Sequence, residues 1–92
     1  MIKNFKHKGL KEFFLTGSTR GINLDHEKKL RLILTKLNTM NITADMNYPG
    51  SGLHSLKGNL KHFLSVSVSG NWRIIFRFEK GEVFDVDYLD YH

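Results

Sequence analysis

The 92-residue chain contains no cysteine. Disulfides and thiolate zinc sites are therefore excluded, and a reducing cytoplasm is the expected compartment. Long apolar runs are also missing: Phe13-Phe14-Leu15, Leu32-Ile33-Leu34 and Ile74-Ile75-Phe76 are as long as they get, against the roughly 18 residues that a membrane-spanning helix needs. The opening Met1-Ile2-Lys3-Asn4-Phe5-Lys6 does not lead into the apolar core of a secretory signal. No membrane partner is expected. His26-Glu27 lacks the second histidine of a zinc-protease helix, because position 30 is leucine. Ser65, Ser67 and Ser69 lack the glycines that frame a nucleophilic serine. Acid is scarce over most of the chain. Before Phe78 only Glu12, Asp25, Glu27 and Asp45 oppose a large majority of the lysines and arginines, whereas Lys80 is outnumbered after it by Glu79, Glu82, Asp85, Asp87 and Asp90. The net charge is +5, and a basic body favours a polyanionic partner such as RNA, DNA or an acidic protein.

What is present is clear periodicity over a length that suits one domain, residues 1–92, with a modest core. Leu10, Phe13 and Phe14 follow the spacing of one helix face, and Gly17 stands where a left-handed C-cap is needed. Leu30, Ile33, Leu34 and Leu37 place a single apolar stripe on a helix expected over residues 24–38, with Asn23 or Asp25 as its cap. Residues 39–52 surround the one proline, Pro49, and read as a long loop with a helical turn near Ala44. Gly50-Ser51-Gly52 is too short to cradle a phosphate and reads as a flexible spacer. From Phe63 the period changes to two. Leu64, Val66 and Val68, then Trp72, Ile74, Phe76 and Phe78, then Phe84, Val86 and Tyr88 form the apolar face of three strands. Gly70-Asn71 and Lys80-Gly81 supply the turns between them. Ile2–Phe5 is expected to add a short first strand. The fold class is therefore α+β, two layers: an antiparallel sheet, made of a C-terminal meander plus the N-terminal strand, with two helices on its apolar face.

The polar face is left open, and chemistry-bearing residues gather toward it. His54 and Lys57 stand three apart, so in a helical turn or tight loop both lean to one side; an imidazole shuttles protons near neutral pH and a lysine holds a phosphate. Arg73 projects from the polar face of the central strand, where it clamps a phosphate or pairs across strands with Asp85 or Asp87. Trp72 has core parity and reads as packing. Asp90-Tyr91-His92 carry a carboxylate, a phenol and an imidazole directly after a strand. They are either a polar tail or the edge of a site. Strand alternation puts Tyr91 on the Arg73 side.

Leu-His-x-Leu-Lys-Gly at 53–58, Val-Ser-Gly-Asn-Trp-Arg at 68–73, Asp-Tyr-His at 90–92 and the opening Ile2–Leu10 together resemble the HigB toxins, or plasmid maintenance killer proteins, of the RelE superfamily. The resemblance runs from end to end and is weakest over residues 18–52. It implies a RelE-like fold and the toxin of a bacterial type II toxin-antitoxin pair. It further implies an endoribonuclease that cuts translated messenger RNA in the ribosomal A site by attack of the ribose 2′-hydroxyl on the adjacent phosphate, with no metal or other cofactor. The partners implied are a helix-turn-helix, HigA-like antitoxin, the ribosome with its ribosomal RNA, and messenger RNA, with operator DNA reached only through the antitoxin. Carried over position by position, His54, Lys57, Arg73, Asp90, Tyr91 and His92 fall on catalytic positions and Asn71 on a substrate contact. Two other functions suit the same composition: a ParE-like gyrase inhibitor, which lacks the His54/Lys57 pair and the terminal triplet, and a non-catalytic RNA- or DNA-binding module.

Overall fold

The structure is a computed structural model and describes residues 1–91. Helix α1 spans Lys8–Thr16. Its start is fixed by His7, whose Nδ1 accepts the Leu10 N–H at 2.9 Å, and its end by Gly17 in the left-handed conformation, donating its N–H to the Phe13 carbonyl. Asn23 caps a 3₁₀ turn, Leu24–His26, by accepting the Asp25 N–H at 2.9 Å. That turn runs directly into α2, Glu27–Thr39. The expected helix therefore begins with a tighter turn. A second 3₁₀ turn, Thr43–Met46, marks the place anticipated near Ala44. The Asp45 carboxylate accepts both the Asn41 and Ile42 N–H groups there, which holds its pKa below the ordinary carboxylate range.

Strands β1 (His54–Ser55), β2 (Phe63–Ser69), β3 (Trp72–Glu79) and β4 (Glu82–Asp90) form one antiparallel sheet in sequence order. Both predicted hairpins are present: Gly70 has φ +55°, and Lys80 and Gly81 have φ +50° and +80°, as a primed two-residue turn requires. The helices lie on the face carrying Val66, Ile74, Phe76, Val83, Val86 and Tyr88, and their Leu10, Phe13, Leu30, Ile33, Leu34 and Leu37 complete a continuous core. Tyr88 ties helix to sheet. Its hydroxyl lies 2.6 Å from His26 Nδ1 and accepts the Asn23 N–H at 3.3 Å, and its ring packs on Trp72 and edge-on to His26 and His7. Burial pushes the Tyr88 phenol up, away from ionisation.

Three expectations need correction. The N-terminal segment is not a strand but two isolated bridges, Ile2 with Val83 and Phe5 with Val86, parallel to β4; the fourth strand is β1. The reason is a bulge in β4, where Asp85 and Val86 both stand opposite Phe76, between the pairs Ile75–Asp87 and Arg77–Phe84. Asp85 adopts φ +54°, and the Asn4 amide spans it, donating to Asp85 Oδ1 at 2.7 Å and accepting the Asp85 N–H at 3.0 Å. The same bulge shifts parity, so Val83 rather than Phe84 faces the core; Phe84 stands opposite Arg77 and beneath its guanidinium. Nor is the other, mostly polar sheet face open throughout. Leu56, Phe63 and Ile75, joined by Leu60 and Leu89, form a second small apolar cluster there.

The bulge has a pH signature. Asp85 is held below the usual carboxylate range, first by the Asn4 amide and then by Arg77. A depressed folded-state value means that the unfolded chain takes up the proton first. The stability supplied by Asp85 is thus fully present above about pH 4 and lost as pH falls through the lowered value. In thermal melts from about pH 6 down to about pH 2, the gap between wild type and Asn4→Ala is expected to narrow as acid is added. A gap that stays constant would refute the Asn4–Asp85 linkage.

Candidate active site

The register of the two-residue β1 decides where His54 lies. His54 stands opposite Ser65, Ser65 opposite Ile75 and Ile75 opposite Asp87, one cross-strand row on the face away from the helices. The neighbouring row runs Ser67, Arg73, Leu89. Tyr91 follows Leu89 by alternation, and its N–H donates to the Asn71 carbonyl at 2.7 Å, which extends the β3–β4 ladder beyond β4. The end of the chain up to Tyr91 is therefore pinned rather than frayed. Asp90 stands opposite Trp72, on the helix side of the sheet edge. Asn71 is exposed at the hairpin tip. His92 lies outside the described residues.

His54 and Arg73 meet at one oxygen. The His54 Nδ1 is 3.0 Å from the Gly52 carbonyl, and Arg73 Nη1 donates to that carbonyl at 3.5 Å and to Ser65 Oγ at 3.2 Å. Among the described residues both bonds of Arg73 end on neutral oxygens, which orient the cation without neutralising it. Arg77 is the contrast. It donates Nε to Asp85 at 2.8 Å and pairs through Nη1 with Glu79 at 2.9 Å. The cross-strand acid that sequence offered to Arg73 thus goes to Arg77. Lys57 does not share a helical turn with His54: β1 is extended, and Lys57 stands exposed at its exit, capping a 3₁₀ turn, Gly58–Leu60. Lys6 reaches over the same sheet face, its Nζ 5.5 Å from the Phe63 ring.

Two residues of this constellation were not recognised from sequence. Gly52 is no flexible spacer. It holds φ +57°, and the preceding Ser51 is fully buried, its carbonyl accepting the Ser67 N–H at 2.7 Å. Ser65 is fully buried although it occupies an outward strand position, because β1 and the Leu56–Leu60 segment cover that end of the sheet. A glycine two residues before a candidate histidine was the one available signal. The surface hollows of about 380 Å³, lined by Lys28, Arg31, Leu32 and Thr35, and about 410 Å³, lined by Lys8, Gly9, Glu12, Ser18, Arg20 and Gly21, lie among the helices and their connection. The candidate site is instead an open sheet face, a shape that suits an extended strand better than an enclosed small molecule.

A family model described as "RelE-like toxin of type II toxin-antitoxin system HigB" matches residues 3–92. The chain belongs to this HigB-like toxin family. The "Endoribonuclease HigB" of Proteus vulgaris is 38% identical over 92 residues, all of both chains. Among solved structures, the YoeB–YefM complex from Staphylococcus aureus aligns with a TM-score of 0.65 at 15% identity, over 100% of this chain and 95% of that one. YafQ from Escherichia coli BL21(DE3) aligns at 0.54 and 16%, over 95% and 87%. These two similarities concern the fold. They place the HigB-like toxin's two helices and four-stranded antiparallel sheet in the RelE-like architecture expected from sequence.

Proposed function

We propose that this HigB-like toxin is a ribosome-dependent endoribonuclease that cuts translated message in the A site. The observation that carries the reading is the meeting of His54 and a charge-bearing Arg73 at the Gly52 carbonyl on an open sheet face. A 38% identical relative named an endoribonuclease supports the reaction class. Transesterification needs a base at the 2′-hydroxyl, cations at the phosphate and an acid at the leaving 5′-oxygen; the RNA supplies its own nucleophile. In this reading His54 and His92 share the acid and base roles. Arg73 and Lys57 hold the phosphoryl oxygens as charge builds. Tyr91 stacks on a splayed base, Asp90 orients an imidazole or contacts the base, and Asn71 meets a base edge at the hairpin tip. The ribosome presents the message to this face, and the basic body, including Lys3, Lys6, Lys8 and Lys11, suits ribosomal RNA. Residues 1–92 act as one RelE-like toxin domain in the cytoplasm. Its other partner is a helix-turn-helix, HigA-like antitoxin that alone carries the pair to operator DNA.

Primer extension on messages incubated with the toxin, with and without translating ribosomes, tests this. Cuts confined to translated messages are expected. Equal cutting of naked RNA would remove the ribosome from the reading, and inhibition of DNA supercoiling with messages intact would replace it by a gyrase inhibitor.

A further inference from the structure

We propose that the Gly52 carbonyl is a positioning group that sets the protonation geometry of His54, and that Ser65 is the positioning residue that holds Arg73 in step with it. The inference rests on the endoribonuclease reading and deepens it, by giving His54 the role of base. A carbonyl oxygen only accepts, so the bond at 3.0 Å requires the hydrogen of a neutral His54 to reside on Nδ1. Nε2 then carries the lone pair and points away from its own backbone anchor. That is the form that takes a proton. In the reaction Nε2 accepts the 2′-hydroxyl proton as the O2′–phosphorus bond forms and the phosphorus–O5′ bond breaks, and the leaving O5′ takes its proton from the second acid.

The oxygen is fixed on every side that matters. Ser51, one residue earlier, is buried, donates its N–H to the Tyr48 carbonyl at 3.0 Å, accepts the Ser67 N–H at 2.7 Å and, through Oγ, the Leu53 N–H at 3.3 Å. Gly52 itself is left-handed at φ +57°. A Cβ built there meets only ordinary contacts, Ser67 Cβ at 3.8 Å and Arg73 Nη1 at 3.9 Å. The requirement for glycine is therefore conformational: the left-handed turn aims the carbonyl at the sheet face, where His54 and Arg73 both reach it. Ser65, directly opposite His54 in the register, gives the same Nη1 its second acceptor from below. Base and phosphate clamp are thereby set from one backbone atom and one buried hydroxyl. Such fixing of a reacting group and its electrostatic partner is what orientation contributes to rate.

The test is nitrogen-15 NMR of histidine-labelled toxin in alkaline buffer, where imidazoles are neutral. His54 is expected to show a protonated, pyrrole-like Nδ1 and a pyridine-like Nε2. Gly52→Val, whose β-branched side chain disfavours the left-handed region, is expected to shift His54 toward the opposite tautomer, and Gly52→Asn, which tolerates that region, to retain the wild-type signature. Ser65→Ala is expected to lower kcat by roughly tenfold, as the loss of one hydrogen bond to a charged group would, with the His54 signature unchanged. A wild-type His54 protonated on Nε2 overturns the inference even if the Gly52 variants fail to fold, and an unaltered kcat in Ser65→Ala overturns its second half. Cleavage that survives His54→Ala removes His54 as base and overturns the inference too, whereas wild-type toxin that leaves translated messages intact is the separate failure of the endoribonuclease reading.

Discussion

Substituting His54 by alanine is expected to slow message cleavage by about 10²–10⁴-fold while leaving the melting temperature nearly unchanged. The two halves of that expectation come from different observations. His54 is exposed on a two-residue edge strand and adds one hydrogen bond to the fold, so its removal costs little stability. Its imidazole shares an acceptor with a cation held by neutral groups, the arrangement on which the proposed cleavage rests. His92→Ala is expected to lose cleavage to a similar degree with ribosome association retained. The arginines supply the internal control. Arg73→Ala is expected to lose about 10²–10³-fold in cleavage at little cost in stability. Arg77→Ala, four residues along the same strand and on the same face, should do the reverse, because it strips Asp85 at the bulge of its cationic partner and Glu79 of its ion pair. Single-turnover cleavage on translating ribosomes, paired with thermal melts of each variant, checks the pattern. Normal cleavage by both histidine variants would sink the assignment of a site to this face.

Much of this geometry was legible in residue pattern, and the parts that were not share a cause. The stripe Leu30, Ile33, Leu34, Leu37 became the buried face of α2 without exception, and both hairpins fell on the dipeptides that encode them. Period and turn chemistry are local properties, so one sequence suffices to read them. The bulge at Asp85 is not local. It depends on Asn4, 81 residues away, satisfying an amide that the ladder abandons, and nothing in Phe84-Asp85-Val86 announces it. From it follow the parity error at Phe84 and the reduction of the N-terminal strand to two bridges. The site divides in the same way. Residue types and motif order singled out His54, Lys57, Arg73 and the terminal triplet, but the contact that unites His54 with Arg73 runs through a main-chain oxygen, which has no letter in the sequence. The burial of Ser65 was not legible because alternation assigns a face and says nothing of what covers it.

Replacing Gly9 by alanine is expected to destabilise the toxin by about 1–3 kcal/mol, against a helix-propensity gain of roughly 1 kcal/mol that taken alone predicts the opposite sign. Gly9 lies in the first turn of α1, where the connection to α2 folds back across it. A Cβ there would stand 2.6 Å from the Gly21 carbonyl oxygen and 2.7 Å from its Cα, and a Cβ on Gly21 would stand 2.6 Å from the Gly9 Cα. Backbone, not a yielding side chain, fills the space. The connection cannot simply retreat either, because two residues beyond Gly21 the Asn23 N–H donates to Tyr88 Oη, which also holds the buried His26 at the entry to α2. Relief of the clash must therefore strain either the first turn of α1 or the Asn23–His26–Tyr88 junction between helix and sheet. For a chain of this size the loss corresponds to a fall in melting temperature of roughly 5–20 °C. Because the junction lies on the helix side and His54 and Arg73 on the other, cleavage per folded molecule well below the transition is expected to match wild type. A melting temperature raised by the substitution would show that the connection yields and that helix propensity decides.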